Sequence, residues 1–173
     1  MFLKSENIHL RALEPTDLEF LYSLENDVLV WPVSNTANPF SKHVLQQYLD
    51  NAAADIYTVR QLRLVIGENN SGQAVGAIDL FDFDPKHLRA GIGIVIGSGF
   101  RQKKYATEAL FLTAGYAKQH LHLHQLYCSV GAKNTASQQL FLKAGYQQTG
   151  LRKDWLRIAD GWEDVLEYQK ILD

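Results

Sequence analysis

The stretch GIGIVIGSGFRQKKYATE, Gly91 to Glu108, constrains the fold of this 173-residue chain more than any other. Ala90 to Gly97 is almost continuously apolar, so a strand here needs cover on both faces and belongs inside a sheet. Gly97-Ser98-Gly99 ends it. From about Lys103 to Gln119 a helix follows, with Ala106, Ala109, Leu110, Thr113, Ala114 and Ala117 at helical spacing. A strand that runs through a short turn into a helix leaves the first helical N–H groups free, and the helix dipole adds positive potential there. Arg101, Lys103 and Lys104 share that turn, so an anion, and a pyrophosphate in particular, is the natural occupant. Ile92, Ile94 and Ile96 fall on one face of the strand, and Gly91, Gly93, Val95 and Gly97 on the other. Glycines inside a strand mark the close approach of a ligand or another backbone. By itself the segment reads equally as a phosphate site or as tight strand–helix packing.

The rest of the chain supplies the sheet this strand requires. Ile8 to Ala12 reads as a strand, and Pro15-Thr16-Asp17 opens a helix with the stripe Leu18, Leu21, Tyr22 and Leu24. Ser41 caps a second helix bearing Val44, Leu45, Tyr48 and Leu49. Leu62 to Gly67 and Ala74 to Phe83 form a hairpin around Asn69-Asn70-Ser71-Gly72. Gln125 to Val130 is a strand, Asn134 to Ala144 a helix stopped by Gly145, and Gln147 to Leu156 and Glu163 to Leu172 are strands. The order β-α-α-β-β-β-α-β-α-β-β describes a mixed α/β (α+β) domain, not a regular βαβ alternation. Trp31 to Ser41 reads as an ordered loop within a single domain spanning residues 1–173.

Composition narrows the partners. Hydrophobic residues at 46% are enough for a buried core, and a net charge of -2 gives no reason to expect nucleic acid or an anionic membrane. No apolar run reaches the ~18 residues of a membrane span. Lys4, Glu6 and Arg11 interrupt the N-terminus, unlike a signal peptide. With Cys128 as the one cysteine no internal disulfide forms, and a cytoplasmic location is expected. His120, His122 and His124 alternate with leucines, but no partner motif accompanies them and no metal is expected. Cys128 reads as a small buried hydrophobe, and Trp155 and Trp162 as hairpin packing residues.

A second motif resolves the ambiguity of the first. Asn134-Thr135-Ala136-Ser137 opens a helix that ends in Leu140-Phe141-Leu142-Lys143-Ala144-Gly145-Tyr146. FRQKKYATEAL together with NTASQQLFLKAGY resembles the GNAT superfamily of acyl-CoA N-acyltransferases, the first matching its pyrophosphate loop and the second its later signature. The opening LRALEPTDLEFL and the ending DGWEDVLEY are similar to the branch of spermidine/diamine and ribosomal-protein N-terminal acetyltransferases. The resemblance implies a mostly antiparallel central sheet of about seven strands, about four helices and a splayed central strand pair.

It also implies acetyl-CoA as acyl donor and a primary amine as acceptor, in direct attack within a ternary complex. Positioning of that kind is worth ~7–11 kcal/mol. By the resemblance the backbone of Ile94, Val95 and Ile96 aligns the coenzyme, and the turn from Arg101 through Gln102, Lys103, Lys104, Tyr105 and Ala106 holds the pyrophosphate. Asn134 and Ser137 sit against the pantetheine arm. A homodimer is compatible with it.

Three positions depart from the family pattern. Lys104 stands where the loop has its first glycine, Phe141 where a tyrosine protonates the leaving thiolate, and Gly91 where a glutamate accepts the amine's proton. Asp79 and Asp82 are the substitutes considered for that base, with Asp84 nearby; on a regular strand Asp79 and Asp82 face opposite sides. Loss of acid and base leaves open a catalytically weakened, CoA-binding regulatory protein. Val28 to Phe40 holds no carboxylate, whereas Trp31, Pro32, Val33 and Phe40 suit an acceptor with apolar surface: an amino-acid derivative, a peptide N-terminus or a small amine.

Overall fold

A computed structural model describes residues 3–34, 36–52 and 54–173. Its strands are β1 (Ile8–Arg11), β2 (Leu62–Glu68), β3 (Ala74–Asp84), β4 (Arg89–Ile96), β5 (Gln125–Gly131), β6 (Gln147–Ile158) and β7 (Gly161–Ile171). They form one sheet in the order β1-β2-β3-β4-β5-β7-β6, so the apolar strand β4 is central as its sequence demands. Every neighbouring pair is antiparallel except β4–β5. A parallel pair needs a long crossover, here α5 (Tyr105–Gln119). The remaining helices are α1 (Leu18–Glu25), α2 (Trp31–Ser34), α3 (Lys42–Asp50), α4 (Ile56–Val59) and α6 (Thr135–Lys143). Both α2 and α4 are single turns, too short to leave a periodic signal.

The sheet is covered differently on its two faces. Leu64, Ile66, Ile78, Leu80 and Ile92 share a buried cluster with Ala109, Leu110 and Ala114 of α5 and with Phe141 of α6. The alternate residues of the same strands, Arg63 and Asp79, lie on the opposite face, where α1 and α3 pack through Leu21, Leu45 and Leu49. Caps hold the helix ends. Ser41 Oγ accepts the Val44 amide at 3.2 Å, and Asn134 Oδ1 accepts that of Ser137 at 3.1 Å. Gly145, at φ 86, closes α6, and the Tyr146 amide returns to the Phe141 carbonyl at 3.0 Å.

Two sequence expectations are corrected. Trp31 to Ser41 is not loop throughout, since Trp31–Ser34 is helical. Trp31 Nε1 donates to the Glu25 carbonyl at 2.8 Å, and Asn26 pairs with the Phe40 main chain in both directions. Trp155 and Trp162 are not packing residues: they are 55% and 59% exposed, with the Arg152 guanidinium 4.8 Å from the Trp155 ring. A bulge between Arg152 and Leu156 turns this part of β6 outward.

Candidate active site

The site begins where two strands separate. β4 and β5 pair at only three positions, Arg89↔Gln125, Ala90↔Leu126 and Gly91↔Tyr127. Beyond Gly91, β4 keeps β3 on its other side down to Gly76↔Ile96, while β5 keeps β7 to Gly131↔Val165. The gap therefore widens from a vertex at Gly91 and Tyr127. The Gly97 amide donates to the Val75 carbonyl at 2.9 Å, so odd-numbered main-chain groups of β4 turn to β3. Alternation then turns Ile92, Ile94 and Ile96 to the gap. Of the three residues expected to align a ligand there, Ile94 and Ile96 offer main-chain groups; Val95 offers only its side chain.

At the wide end of the gap both β4 and β5 lead to helix starts. In α5 the Glu108 amide is the first closed onto a carbonyl, that of Lys104 at 3.1 Å. Tyr105, Ala106 and Thr107 have no intrahelical acceptor. Gln102 and Lys104 adopt φ of 64 and 66, the left-handed region that favours glycine. The turn has thus kept the glycine conformation with a lysine in it, at a cost of about 1 kcal/mol. Arg101 Nε donates to the Ile96 carbonyl at 3.3 Å, tying the turn to the end of β4. Lys103 Nζ lies 5.6 Å from the Phe100 ring, and the Tyr105 hydroxyl turns inward to Glu68. Tyr105 therefore faces the gap's end with its amide, not its side chain. Ser5 and Asn7 hold the Glu108 carboxylate at 2.5 and 2.6 Å, which overcomes its burial and keeps its pKa low. Asn134 and Ser137 cap α6 across the gap, both half-buried.

The face opposite α5 carries the side chains of the vertex. Phe81 pairs with Gly91 and Asp79 with Gly93. The Phe81 ring lies over Gly91, where any Cβ would collide with it, and 3.7 Å from the Cβ position of Gly93. Glycine at 91 therefore makes room for Phe81, and Tyr127 meets that ring edge-on at 6.3 Å. Asp79 does not stand free. Arg63 grips both its oxygens at 2.7 and 3.0 Å and also pairs with Glu25. Burial alone would lower the Arg63 pKa, but these carboxylates outweigh it and raise it.

Asp82 sits in a bulge between Phe81 and Asp84 at φ 47, so the regular-strand rule fails here. Phe83 joins the same core cluster as Leu80, and Asp82 is left exposed. Burial raises the Tyr127 pKa, and the nearby Asp82 charge adds to that rise. Phe141 is buried and edge-on to Tyr146 at 5.1 Å; the Tyr146 hydroxyl, also buried, has no hydrogen-bond partner among the described residues. Burial pushes the Cys128 thiol up to about 12.

The pairing of Ser129 with Glu167 escaped the sequence reading. Ser129 of β5 follows Tyr127 on this face, and its Oγ lies 3.0 and 2.9 Å from the two carboxylate oxygens of Glu167 on β7. Only the register of β5 on β7 brings them together, and no local motif announces it. Among the described residues no group of three His, Cys, Asp or Glu could share a metal ion, and no helix is long and apolar enough to cross a membrane.

Comparison with known proteins agrees with this geometry. The chain is 26% identical over 180 residues to the probable N-acetyltransferase YjcK of Bacillus subtilis, covering 94% of this chain and 92% of that one. It is 27% identical over 133 residues to the spermidine N(1)-acetyltransferase of Escherichia coli K12, covering 75% and 67%. The fold matches that of a spermidine N-acetyltransferase from Vibrio cholerae solved with CoA and spermine, at a TM-score of 0.86, 22% identity and 95% coverage of each chain. The acetyltransferase (GNAT) domain model matches residues 7–147, and the chain belongs to that family of acetyl-CoA-dependent N-acetyltransferases.

Proposed function

We propose that residues 1–173 form one acetyltransferase domain whose acceptor is a primary amine with an apolar substituent, such as an amino-acid derivative, a peptide N-terminus or an arylalkylamine. The observation that carries this is the Phe81 ring over Gly91 and Gly93, with Tyr127 at its edge. Aromatic surface at the vertex favours an apolar group beside the reacting nitrogen, and the quadrupoles of both rings favour a cationic one.

In this reading acetyl-CoA lies along the gap. Its diphosphate rests on the amides of Gln102 to Ala106, aided by Arg101, Lys103 and Lys104, and its pantetheine lies between Ile94, Ile96 and the Asn134–Ser137 turn. The thioester reaches the vertex, where the amide of Ile94, the first on β4 beyond the β5 ladder, polarises its carbonyl. Asp82 draws the ammonium group in; Asp79, held by Arg63, keeps the frame of the acceptor side. A cytoplasmic location follows from the substrate, and an oligomer is consistent with the dodecameric spermidine N-acetyltransferase from Vibrio cholerae.

A polyamine acceptor is the second reading. The names of the relatives favour it, as do the carboxylates of Asp82, Asp84 and Glu167 on the acceptor side. Release of CoA thiol with phenethylamine, phenylalanine amide, a Phe-Ala dipeptide and spermidine separates the two. The proposal expects a higher kcat/KM for the aromatic amines. Preference for spermidine by tenfold or more contradicts it.

A further inference from the structure

The family's usual acid and base are both missing here, since Phe141 has no exchangeable proton and Phe81 covers Gly91. Asp79 has both oxygens committed to Arg63. Ser129 has no such commitment. It is the first β5 residue on the acceptor face beyond the last β4–β5 pair, so it stands in the open part of the gap. Its side chain is exposed, while Glu167 behind it retains only 19% of its side-chain surface. Arg152 Nε pairs with Glu167 Oε1 at 3.1 Å and helps to fix the carboxylate.

This arrangement has a direction. The single hydroxyl proton of Ser129 is given to Glu167, so the serine lone pairs remain available as acceptors. We propose that Ser129 and Glu167 form a proton relay for the acetyl transfer proposed above. In it Ser129 is the catalytic residue that takes the acceptor's proton, and Glu167 positions Ser129 and receives the proton passed on. Attack joins the amine nitrogen to the acetyl carbonyl carbon, and the C–S bond breaks to release CoA as a thiolate. Before attack the ammonium gives one proton to Ser129 Oγ as the serine proton moves to Glu167; after attack the proton left over on the nitrogen passes to the thiolate. The charged and titratable groups around Glu167 are Arg152 from β6, Ser129, Tyr127 and Cys128 from β5, and, acting on Tyr127, Asp82, Asp84 and Arg89 from β3 and β4.

The relay rests on the acceptor reading, and the test separates them. Ser129→Ala and Glu167→Gln are assayed with acetyl-CoA against phenethylamine, and against its near-isostere 2,2-difluoro-2-phenylethylamine, which is largely uncharged at neutral pH. The relay predicts that kcat with phenethylamine falls roughly 10²-fold or more in both variants. It also predicts an unchanged KM for acetyl-CoA, a loss several times smaller with the difluoro amine, and partial rescue by Ser129→Thr. Turnover within about twofold of the unaltered enzyme overturns the relay alone, and so does an equal loss with both amines, which marks a structural role. No turnover of phenethylamine by the unaltered enzyme contradicts the acceptor reading and takes the relay with it.

Discussion

The two flanks of the β4–β5 gap are built from different materials. The flank proposed for the coenzyme consists of main chain: the free edge of β4, the amides of the turn after it and the start of α5. The flank proposed for the acceptor consists of side chains: Phe81 over Gly91, Tyr127 against Phe81, and the Glu25–Arg63–Asp79 cluster beneath α1. Main-chain sites tolerate a change of side chain so long as the backbone keeps its path. Lys104 shows this, adopting a φ of 66 where the family has glycine. Side-chain sites change with each substitution.

The largest effect that tests this contrast is Arg63→Met. It leaves the Glu25 and Asp79 carboxylates, each less than one-fifth exposed, without their cation. We expect a loss of about 3–5 kcal/mol in denaturant unfolding. A loss below 1 kcal/mol contradicts a side-chain-built acceptor flank. The double variant Arg101→Glu, Lys104→Glu addresses the other flank. Removing charge-assisted contacts worth about 1.5–3 kcal/mol should weaken CoA binding at least tenfold by calorimetry, with little change in stability.

Gly91→Ala sharpens the contrast at the vertex itself. Its Cβ meets the Phe81 ring, so overpacking should cost about 1–3 kcal/mol, and adding Phe81→Leu should recover part of it. Equal stability of the single and double variants means that the ring moves freely. Acid provides a graded test. Asp17, 5% exposed, joins β1 to the start of α1 through Arg11, whose hydrogen bonds outweigh burial and, with the Glu14 amide, lower the Asp17 pKa. Its stabilisation is complete above the ordinary carboxylate pKa and is lost as pH falls through the depressed folded value. Asp17→Asn should therefore cost about 1–2 kcal/mol at neutral pH and progressively less in acid. A difference independent of pH contradicts the assignment. The smallest effect belongs to Lys104→Gly, where relief of the left-handed strain and the added chain entropy nearly cancel, within about 1 kcal/mol.

The same contrast governs what the sequence reveals. β4, its turn and α5 were legible because an apolar run, a glycine break and a 3.6-residue period are local signals. Ser41, Asn134 and Gly145 marked helix ends for the same reason. The bulge that turns Asp82 out of regular alternation left no mark, since it arises from how β3 meets β4 across an exposed turn. Arg63 reads as an ordinary strand-start cation until β3 and α1 place two carboxylates on it. Ser129 and Glu167 lie 38 positions apart, and pairing of β5 with β7 alone makes them partners. Asn35 and the Val33 side chain, part of the apolar loop read from sequence, lie outside the described residues.

Amide hydrogen exchange read residue by residue, with and without CoA, tests most directly whether the coenzyme occupies the gap. The account predicts new protection at Ile94, Ile96 and Gln102 to Ala106, and little change at Ile92, already paired with β5, or at Val95, whose main chain already faces β3. Protection confined to other parts of the surface, with the β4 edge and the turn still exchanging freely, contradicts it.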